Sequence, residues 1–319
     1  MRPTLFHLGS GFPVHSYGFL IAVGMVLGVL MAVRRGRGVG IATGLTLDLT
    51  FYAIVFGLVG ARLLYVLMHA SDYARLCAGT GAQRTLGQAV ADCTAALHFW
   101  QGGLAFLGGG VLAAGVVLIF ARRKGLALGD VADVLAPSVS LAHVLGRLGC
   151  FRVGWCYGKP WAAGVHFVPD SVAYGEYLSR QTMFAGSAST PGLHPTQLYE
   201  SLGELLIFIG LVLLWRRRKF PGMVALAYAF AYGVLRFFVE IYRDDLVRGF
   251  VFRLHTPGLA AALGLPPSDP LFLSSAQATS LLLIVAAATM YAILLRKKPQ
   301  RTEKTQRTQR PEDEGVSGS

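Results

Sequence analysis

Residues 17–37 read YGFLIAVGMVLGVLMAVRRGR, an uninterrupted apolar run to Val33 that is followed at once by arginines. A helix needs roughly 20 mostly apolar residues to cross a bilayer core about 30 Å thick. This run is therefore long enough for a transmembrane helix. Because the arginines follow it directly, we interpret it as an anchor and not as a cleavable signal peptide.

The rest of the chain repeats this pattern. Only 14% of its 319 residues are charged and 54% are hydrophobic, whereas soluble domains have about 25% charged residues. The predicted transmembrane segments are 17–33, 48–68, 102–121, 129–151, 198–215, 221–240 and 271–295. The fourth is interrupted by polar residues and a proline, so an interfacial or re-entrant helix is the alternative interpretation there.

The distribution of positive charge gives the topology. The formal net charge is +12, but the basic residues are clustered directly after the first, third, fifth and seventh segments. The clusters are Arg34, Arg35 and Arg37; Arg122, Arg123 and Lys124; Arg216, Arg217, Arg218 and Lys219; and Arg296, Lys297 and Lys298. The positive-inside rule makes that side cytoplasmic, and the clustering argues against a nucleic-acid partner.

The sequence thus predicts an all-α membrane protein, a bundle of seven transmembrane helices that is N-out and C-in. Its long loops, at about 69–101, 152–197 and 241–270, form an extracytoplasmic head. We expect one catalytic domain over residues 1–298. The polar residues 299–319 are predicted to be a disordered cytoplasmic tail.

Three arginines lie inside apolar segments, namely Arg62, Arg147 and Arg236, and Arg243 follows just beyond the sixth. An arginine at the centre of a membrane helix costs roughly 2.5–3.5 kcal/mol on insertion scales. In the predicted topology all four lie near the outer face. Snorkelling explains an isolated arginine, but several on one face repel each other unless an anion joins them.

Other polar residues gather at the same face, because odd segments begin there and even segments end there. They are His15, Tyr17, Trp100, Gln101, Gly102, Gly103, His194, Pro195, Gln197, Tyr199 and Glu200. This convergence predicts a site at the outer leaflet. A transporter or channel would need polar residues at the midplane, where few are present, and an intramembrane serine protease would need a nucleophile motif that is absent.

The sixth segment shows the same pattern along one helix. Tyr232, Arg236, Glu240 and Arg243 are spaced by four, four and three residues and so share a face. Glu240 neutralises part of the charge of the two arginines, and the remainder suits a phosphate or carboxylate ligand. A structural ion-pair network is the alternative.

The glycines and cysteines support further expectations. Gly102, Gly103 and the run 108–110 are predicted to let helices approach closely. Cys77 and Cys93 share one external loop, where an oxidising compartment permits a disulfide. Cys150 and Cys156 flank the outer end of the fourth segment, as structural thiols, a disulfide or, in a sharper alternative, metal ligands. No familiar zinc spacing is present, and neither a metal nor a cofactor is indicated.

Six motifs in this order resemble the prolipoprotein diacylglyceryl transferases of bacteria, over residues 14 to about 284. They are VHSYG (14–18), GARLLYV (60–66), WQGGLAFLGG (100–109), GRLG (146–149), HPTQLYE (194–200) and YGVLRFFVEIYR (232–243). The resemblance implies an enzyme of the cytoplasmic (inner) membrane with its active site on the periplasmic side. It implies transfer of a diacylglyceryl group from phosphatidylglycerol to the lipobox cysteine thiol of a preprolipoprotein, with release of glycerol phosphate.

The resemblance also implies roles for individual residues. Arg147 and Arg236 are expected to clamp the phosphate and stabilise leaving-group charge, while Tyr17 and Tyr232 orient the head group. The remaining expected substrate-binding residues are His15, Arg62, Gln197, Tyr199, Glu200, Glu240, Arg243, Gly102 and Gly103.

The sequence departs from the family at Leu107, Cys150 and Trp155, where histidine, asparagine and glutamate are usual. Thiol attack requires a thiolate and hence a base or a positive field. Three explanations stay open: His194 or His15 acts as the base, the arginines alone lower the thiol pKa, or the chain has an altered substrate. A non-catalytic phospholipid-binding homologue is the alternative function.

Overall fold

The computed structural model describes residues 4–8, 12–78, 93–97, 103, 105–180, 187–244, 249–265 and 271–296. The predicted tail at 299–319 lies outside these residues. Within them, seven helices are long and apolar enough to cross a membrane, which confirms the predicted fold class. Numbered in chain order among all elements, they are α1 (Ser16–Arg37), α2 (Thr43–Met68), α4 (Phe106–Arg123), α5 (Leu128–Val153), α7 (Thr196–Trp215), α8 (Met223–Tyr242) and α10 (Ser275–Arg296).

Short elements lie before α1 and in the connections between the long helices. The helices are α3 (Ala70–Ala78), α6 (Val172–Arg180) and α9 (Pro257–Ala262), and the strands are β1 (Thr4–Leu8), β2 (Phe12–His15), β3 (Pro160–Val165), β4 (Phe250–Leu254) and β5 (Phe272–Ser274). Strands β1 and β2 pair antiparallel, with Thr4 opposite His15, and β4 pairs antiparallel with β5. We call the end of the bundle that carries the connections α2–α4, α5–α7 and α8–α10 the loop side.

Helix α5 is the central helix of the bundle. It packs against α1, α7 and α8, whereas α2 packs mainly against α4, and α10 against α8. In α5, 39% of the apolar window is buried, against 6% in α4. The polar residues of the fourth segment therefore face neighbouring helices. Pro137 lies inside α5, yet the helix continues without a break to Val153, so the structure favours a spanning helix over the re-entrant alternative.

Helices α2 and α4 approach each other through glycines. A Cβ atom on Gly108 would collide with the carbonyl oxygen of Gly60, and one on Gly109 would lie 2.8 Å from the carbonyl oxygen of Gly57. Side chains of any size would separate the two backbones here. The predicted close approach is therefore confirmed for Gly108 and Gly109, while Gly110 has nothing within 4 Å of its Cβ position.

At the end opposite the loop side the connections are short, and a carboxylate caps the amino end of α8. The buried Asp133 carboxylate accepts hydrogen bonds from the backbone N–H groups of Gly222, at 2.8 Å, and Ala225, at 2.9 Å. It thereby satisfies donors that every helix leaves free at its amino end, here those of α8. Arg218 bridges Asp133 and Asp130 at 3.3 and 2.7 Å. These contacts connect α5 to the connection before α8.

The long connections on the loop side fold into small cores of their own. One contains Tyr157, Phe167, Ala173, Tyr177 and Leu193, all from the α5–α7 connection. A second contains Ile241, Ala260, Leu265 and Leu271. The two are joined where the N–H of Lys159 donates to the carbonyl of Tyr242 and where Gly158 pairs with Arg243.

Two of the four cysteines form a disulfide, and the other two are reduced. Cys77 and Cys93 form a disulfide in the α2–α4 connection, as the sequence allowed. Cys150 and Cys156 are not joined by a disulfide, and their thiols lie close to each other. In the part of the chain that the structure describes, no group of three or more histidine, cysteine or acidic side chains is arranged to hold a metal ion.

Three predicted helix starts are wrong by four or five residues. The second segment is already helical at Thr43 and not only from 48, because the polar residues of its first turns hide the start from hydropathy. The third segment becomes helical at Phe106 and not at 102, because Gly103 has φ +71° and its carbonyl accepts a hydrogen bond from Arg62. The seventh begins at Ser275 and not at 271, because residues 272–274 pair as β5 with β4. Hydropathy alone does not register either interaction.

Candidate active site

A carboxylate held between two arginines is the centre of the site. Glu200, one turn into α7, is 1% exposed. Its Oε1 lies 2.9 Å from Nη2 of Arg147 on α5, and its Oε2 lies 3.8 Å from Nη1 of Arg236 on α8. Guanidinium groups from two helices thus meet at one anion. The sequence predicted that Arg147 and Arg236 converge, but it did not identify Glu200 as the group between them.

The charged residues on one face of α8 extend this cluster toward the loop side. Nη2 of Arg236 lies 2.8 Å from Oε2 of Glu240, and Nη1 of Arg243 lies 3.7 Å from the same oxygen. The i, i+4 and i, i+3 spacings bring these side chains together. Around Glu200 and Glu240, three guanidinium groups face two carboxylates. The arrangement leaves one positive charge at this level.

A second, deeper layer lies one turn below and was missed by the sequence analysis. His143 Nδ1 lies 2.8 Å from Oε1 of Glu204, and Nε of Arg147 donates to His143 Nε2 at 3.0 Å. Ser140 Oγ donates to Glu204 Oε2 at 2.6 Å, and the Tyr228 hydroxyl donates to Oε1 at 3.4 Å. Every group in this layer has a polar partner, as buried polar groups require.

A spacing signal for this layer was present in the sequence. His143 precedes Arg147 by four residues, and Glu204 follows Glu200 by four, so each pair lies on one helix face. Helices α5 and α7 are packed against each other. The pairing depends on that contact, which hydropathy does not predict.

Tyrosines border the cluster on two sides. Tyr232 lies against His143, with ring centroids 5.5 Å apart, and within electrostatic range of Glu200 and both arginines. Tyr17 of α1 lies near Arg147 and the Cys150–Cys156 thiols. Its ring contacts Trp155 edge-on at 5.0 Å. Both predicted tyrosines therefore lie within electrostatic range of Arg147.

The α7 amino end holds the connection from α5 in place. Gln197 Nε2 donates to the carbonyl of Trp155 at 2.7 Å, and Thr196 Oγ1 donates to the carbonyl of Cys156 at 2.5 Å. Cys156 has φ +59°, a left-handed conformation that is uncommon for residues with a side chain. These hydrogen bonds fix the turn that carries Trp155 and Cys156 beside Tyr17.

His194 lies in an aromatic enclosure beside the α7 start. Its ring stacks on Trp161, with centroids 4.7 Å apart, and its Nδ1 lies 3.1 Å from the hydroxyl of Tyr199. Tyr242 covers another side at 5.0 Å. Burial, and then the charge of nearby Lys159, lower the pKa of His194 below its usual value because both disfavour the protonated ring.

Arg62 is hydrogen-bonded to the backbone of the α2–α4 connection. Its guanidinium donates to the carbonyl oxygens of Ala95, Ala96 and Gly103 at 2.7, 2.9 and 3.0 Å. These contacts hold the segment that leads into α4. They give Arg62 a structural task that the sequence analysis did not foresee.

Three further positions named in the sequence analysis are His15, Gly102 and Leu107. His15 ends β2, directly before α1, and its side chain lies outside the described part of the structure. Gly102 also lies outside the described residues. Leu107, which occupies the position where the family usually has histidine, is 69% exposed on α4.

Comparisons with known proteins agree with the motifs. The family model described as prolipoprotein diacylglyceryl transferase matches residues 3–293. A Finegoldia magna protein named phosphatidylglycerol–prolipoprotein diacylglyceryl transferase is 31% identical over 240 residues, which cover 74% of this chain and 81% of that protein. The protein of the same name from Oceanobacillus iheyensis is 29% identical over 235 residues, 73% of this chain and 74% of that one. A third, from Mycolicibacterium paratuberculosis, is 34% identical over 246 residues, 76% of this chain and 54% of its own length.

Proposed function

The chain belongs to the prolipoprotein diacylglyceryl transferase family, and we propose that it transfers the diacylglyceryl group of phosphatidylglycerol to the lipobox cysteine of preprolipoproteins. The sulfur forms a thioether with the glyceryl carbon, and glycerol phosphate leaves. The names of the relatives give the same two substrates, phosphatidylglycerol and a prolipoprotein.

The observation that carries the proposal is the convergence of Arg147 and Arg236 on Glu200. A phosphodiester is an anion of one negative charge, and planar guanidinium groups bind its oxygens in pairs. At this level three guanidinium groups face only two carboxylates, so N–H donors remain for such a ligand. As the C–O bond breaks, charge grows on the phosphate, and donors already oriented toward it stabilise that charge.

The other residues have supporting roles in this proposal. Tyr17 and Tyr232, both within electrostatic range of Arg147, orient the lipid head group. Glu240 holds Arg236 and Arg243 in place. Gln197, Tyr199 and His194 maintain the turn and the aromatic enclosure at the edge of the site. Arg62 and Gly103 act through the fold of the α2–α4 connection.

The charge pattern supports the proposed location. Basic clusters flank the short connections, so we place that end in the cytoplasm. The loop side, with the arginine cluster, then faces the periplasmic side of a bacterial cytoplasmic (inner) membrane. Phosphatidylglycerol and the signal segment of a preprolipoprotein both reach the site within the bilayer.

Reconstitution tests the function directly. Purified protein in vesicles containing phosphatidylglycerol and a fluorescent lipobox peptide should yield a thioether-linked diacylglyceryl peptide, detected by mass spectrometry. A peptide with serine in place of the cysteine is the control. Lipid binding without any product, with a related transferase active in parallel, would favour the non-catalytic homologue, which the exposed Leu107 and the Tyr17–Trp155 contact motivate.

A further inference from the structure

The proposed reaction requires a proton acceptor for the lipobox thiol. A thiol is a weak nucleophile, and the thiolate is the attacking species. Enzymes supply it through an adjacent base that is itself oriented by a third group. The question is therefore which side chain near the arginine cluster has both an unprotonated nitrogen and such an orienting partner.

His143 meets both conditions. The Nε–H of Arg147 donates to His143 Nε2, so Nε2 is the unprotonated nitrogen. The proton is then on Nδ1, which lies 2.8 Å from Oε1 of Glu204. Glu204 is fully buried and is held from its other oxygen by Ser140. A buried carboxylate thus fixes the tautomer of His143 and offsets the charge that the imidazole gains when it accepts a proton.

We propose that His143, oriented by Glu204, accepts the proton of the lipobox thiol in this protein. The inference rests on the proposed function and assigns a residue that the resemblance does not supply. It also gives a role to His143 of α5 and Glu204 of α7, which have none in phosphate binding.

In this step the lipobox thiol becomes a thioether and glycerol phosphate leaves. The S–H bond breaks, its proton goes to His143 Nε2 and the electron pair stays on sulfur. The thiolate attacks the glyceryl carbon that carries the phosphate, so a C–S bond forms and the C–O bond breaks. The electron pair of that bond leaves on the phosphate oxygen of glycerol phosphate, beside Arg147 and Arg236. His143 then returns its proton to water.

Arg147 connects lipid binding to this step. Its Nε–H donates a hydrogen bond to His143 Nε2 in the structure, while its Nη2 contacts Glu200. When the guanidinium turns its planar edge to a phosphate, Nε becomes one of the two donors of the bidentate pair. Nε2 is then released to accept the thiol proton. The base becomes available only once the lipid is bound.

His194 is the competing histidine and is less suited to the role. Its described contacts are with the rings of Trp161, Tyr199 and Tyr242 and with the charge of Lys159, and no carboxylate is among these contacts. The lowered pKa of His194 makes it a weaker proton acceptor. The Lys159 charge beside it opposes the formation of a second positive charge.

A change of nucleophile separates a base from a structural residue. We would measure kcat with lipobox peptides that carry cysteine or selenocysteine, because the selenol is already ionised at neutral pH and needs no base. His143→Gln should lower kcat by about 100-fold or more with cysteine and by less than about tenfold with selenocysteine. His194→Gln should lower kcat equally with both peptides. His255→Gln, at an exposed residue after β4, is the matched control.

Glu204→Gln provides a second variant in case His143→Gln does not accumulate in the membrane. The amide keeps the shape and an acceptor for Ser140 but loses the charge that offsets the imidazolium. It should show the same selective loss with cysteine, of about 10-fold or more. Equal losses with both nucleophiles in the variants that accumulate would overturn the inference. Selective loss in His194→Gln would overturn it as well.

Turnover by the wild-type protein distinguishes failure of the proposed function from failure of the His143 assignment. If the wild-type protein gives no thioether product with the cysteine peptide, the proposed function fails and this inference fails with it. If the wild-type protein turns over and the losses in His143→Gln and Glu204→Gln do not depend on the nucleophile, only the inference fails.

Discussion

At the scale of single residues, burial explains why the charged side chains form one connected cluster. Glu200 is 1% exposed, and a buried carboxylate without partners would cost several kcal/mol. Arg147 and Arg236 provide those partners. Removing either arginine also leaves Glu200 short of positive charge, so lysine substitutions, which keep the charge but lose the planar fork, separate recognition from stability.

The buried His194 predicts a specific dependence of stability on pH. Its pKa in the folded protein is below the usual value of about 6.5, so below that pH the unfolded chain binds more protons than the folded one. Stability is therefore complete above about pH 6.5 and falls as the pH decreases toward the lowered pKa. Thermal unfolding in detergent should show a smaller loss between about pH 7.5 and 5.5 for His194→Gln than for the wild-type protein.

Two results decide this prediction. His255→Gln, at an exposed position, should retain the wild-type pH dependence. An unchanged dependence in His194→Gln would show that His194 is not held neutral by its enclosure.

Residue types and spacing predicted part of the site. The steps of four and three residues along α8 predicted that Arg236, Glu240 and Arg243 lie together, and the structure pairs them. The sequence marks His143 only as one of the polar residues that interrupt the fourth segment, and it does not single out Glu204. Their contact depends on which faces of α5 and α7 meet, and periodicity within one helix carries no information on that.

At the scale of elements, the α2–α4 contact predicts a sharp difference between neighbouring glycines. Gly108→Leu would force the two backbones apart, because its Cβ already meets Gly60, and should cost about 1–3 kcal/mol. Gly110→Leu has open space at its Cβ position and should have little effect. Unfolding midpoints of the two variants in the same detergent give the comparison. Equal destabilisation would refute the close approach at Gly108.

The carboxylate cap on α8 gives a second prediction at this scale. Asp133→Ala leaves two backbone N–H groups and Arg218 without their buried acceptor, and we expect a loss of roughly 2–4 kcal/mol. Asp130→Ala removes only a partly exposed partner of Arg218 and should cost less than about 1 kcal/mol. Denaturant titration in detergent measures both. A larger loss for Asp130→Ala would contradict the cap.

The helix boundaries show where hydropathy is insufficient. Seven apolar runs predicted seven helices, and each one is present. The starts at 102 and 271 were wrong because local interactions decide them. Gly103 is held in a left-handed turn by Arg62, and residues 272–274 join a strand pair. Long-range hydrogen bonds of this kind have no signature in composition.

At the scale of the whole molecule, the orientation in the membrane is the prediction that places the site. With Cys150 and Cys156 replaced by serine, Ser179→Cys on the loop side and Lys124→Cys at the opposite end are both exposed. A membrane-impermeant maleimide added to intact spheroplasts should label Ser179→Cys and should label Lys124→Cys only after permeabilisation. The reverse result would place the arginine cluster in the cytoplasmic leaflet.

The central claim is that Arg147 and Arg236 hold one lipid phosphate between two helices, and the reconstituted transfer assay with arginine variants tests it most directly. Arg147→Lys and Arg236→Lys should each lower kcat by about 10²–10³-fold while the protein remains folded. Arg253→Ala, which removes an exposed arginine from β4 on the same side, should leave kcat near the wild-type value. Near-normal turnover in either lysine variant would contradict the account.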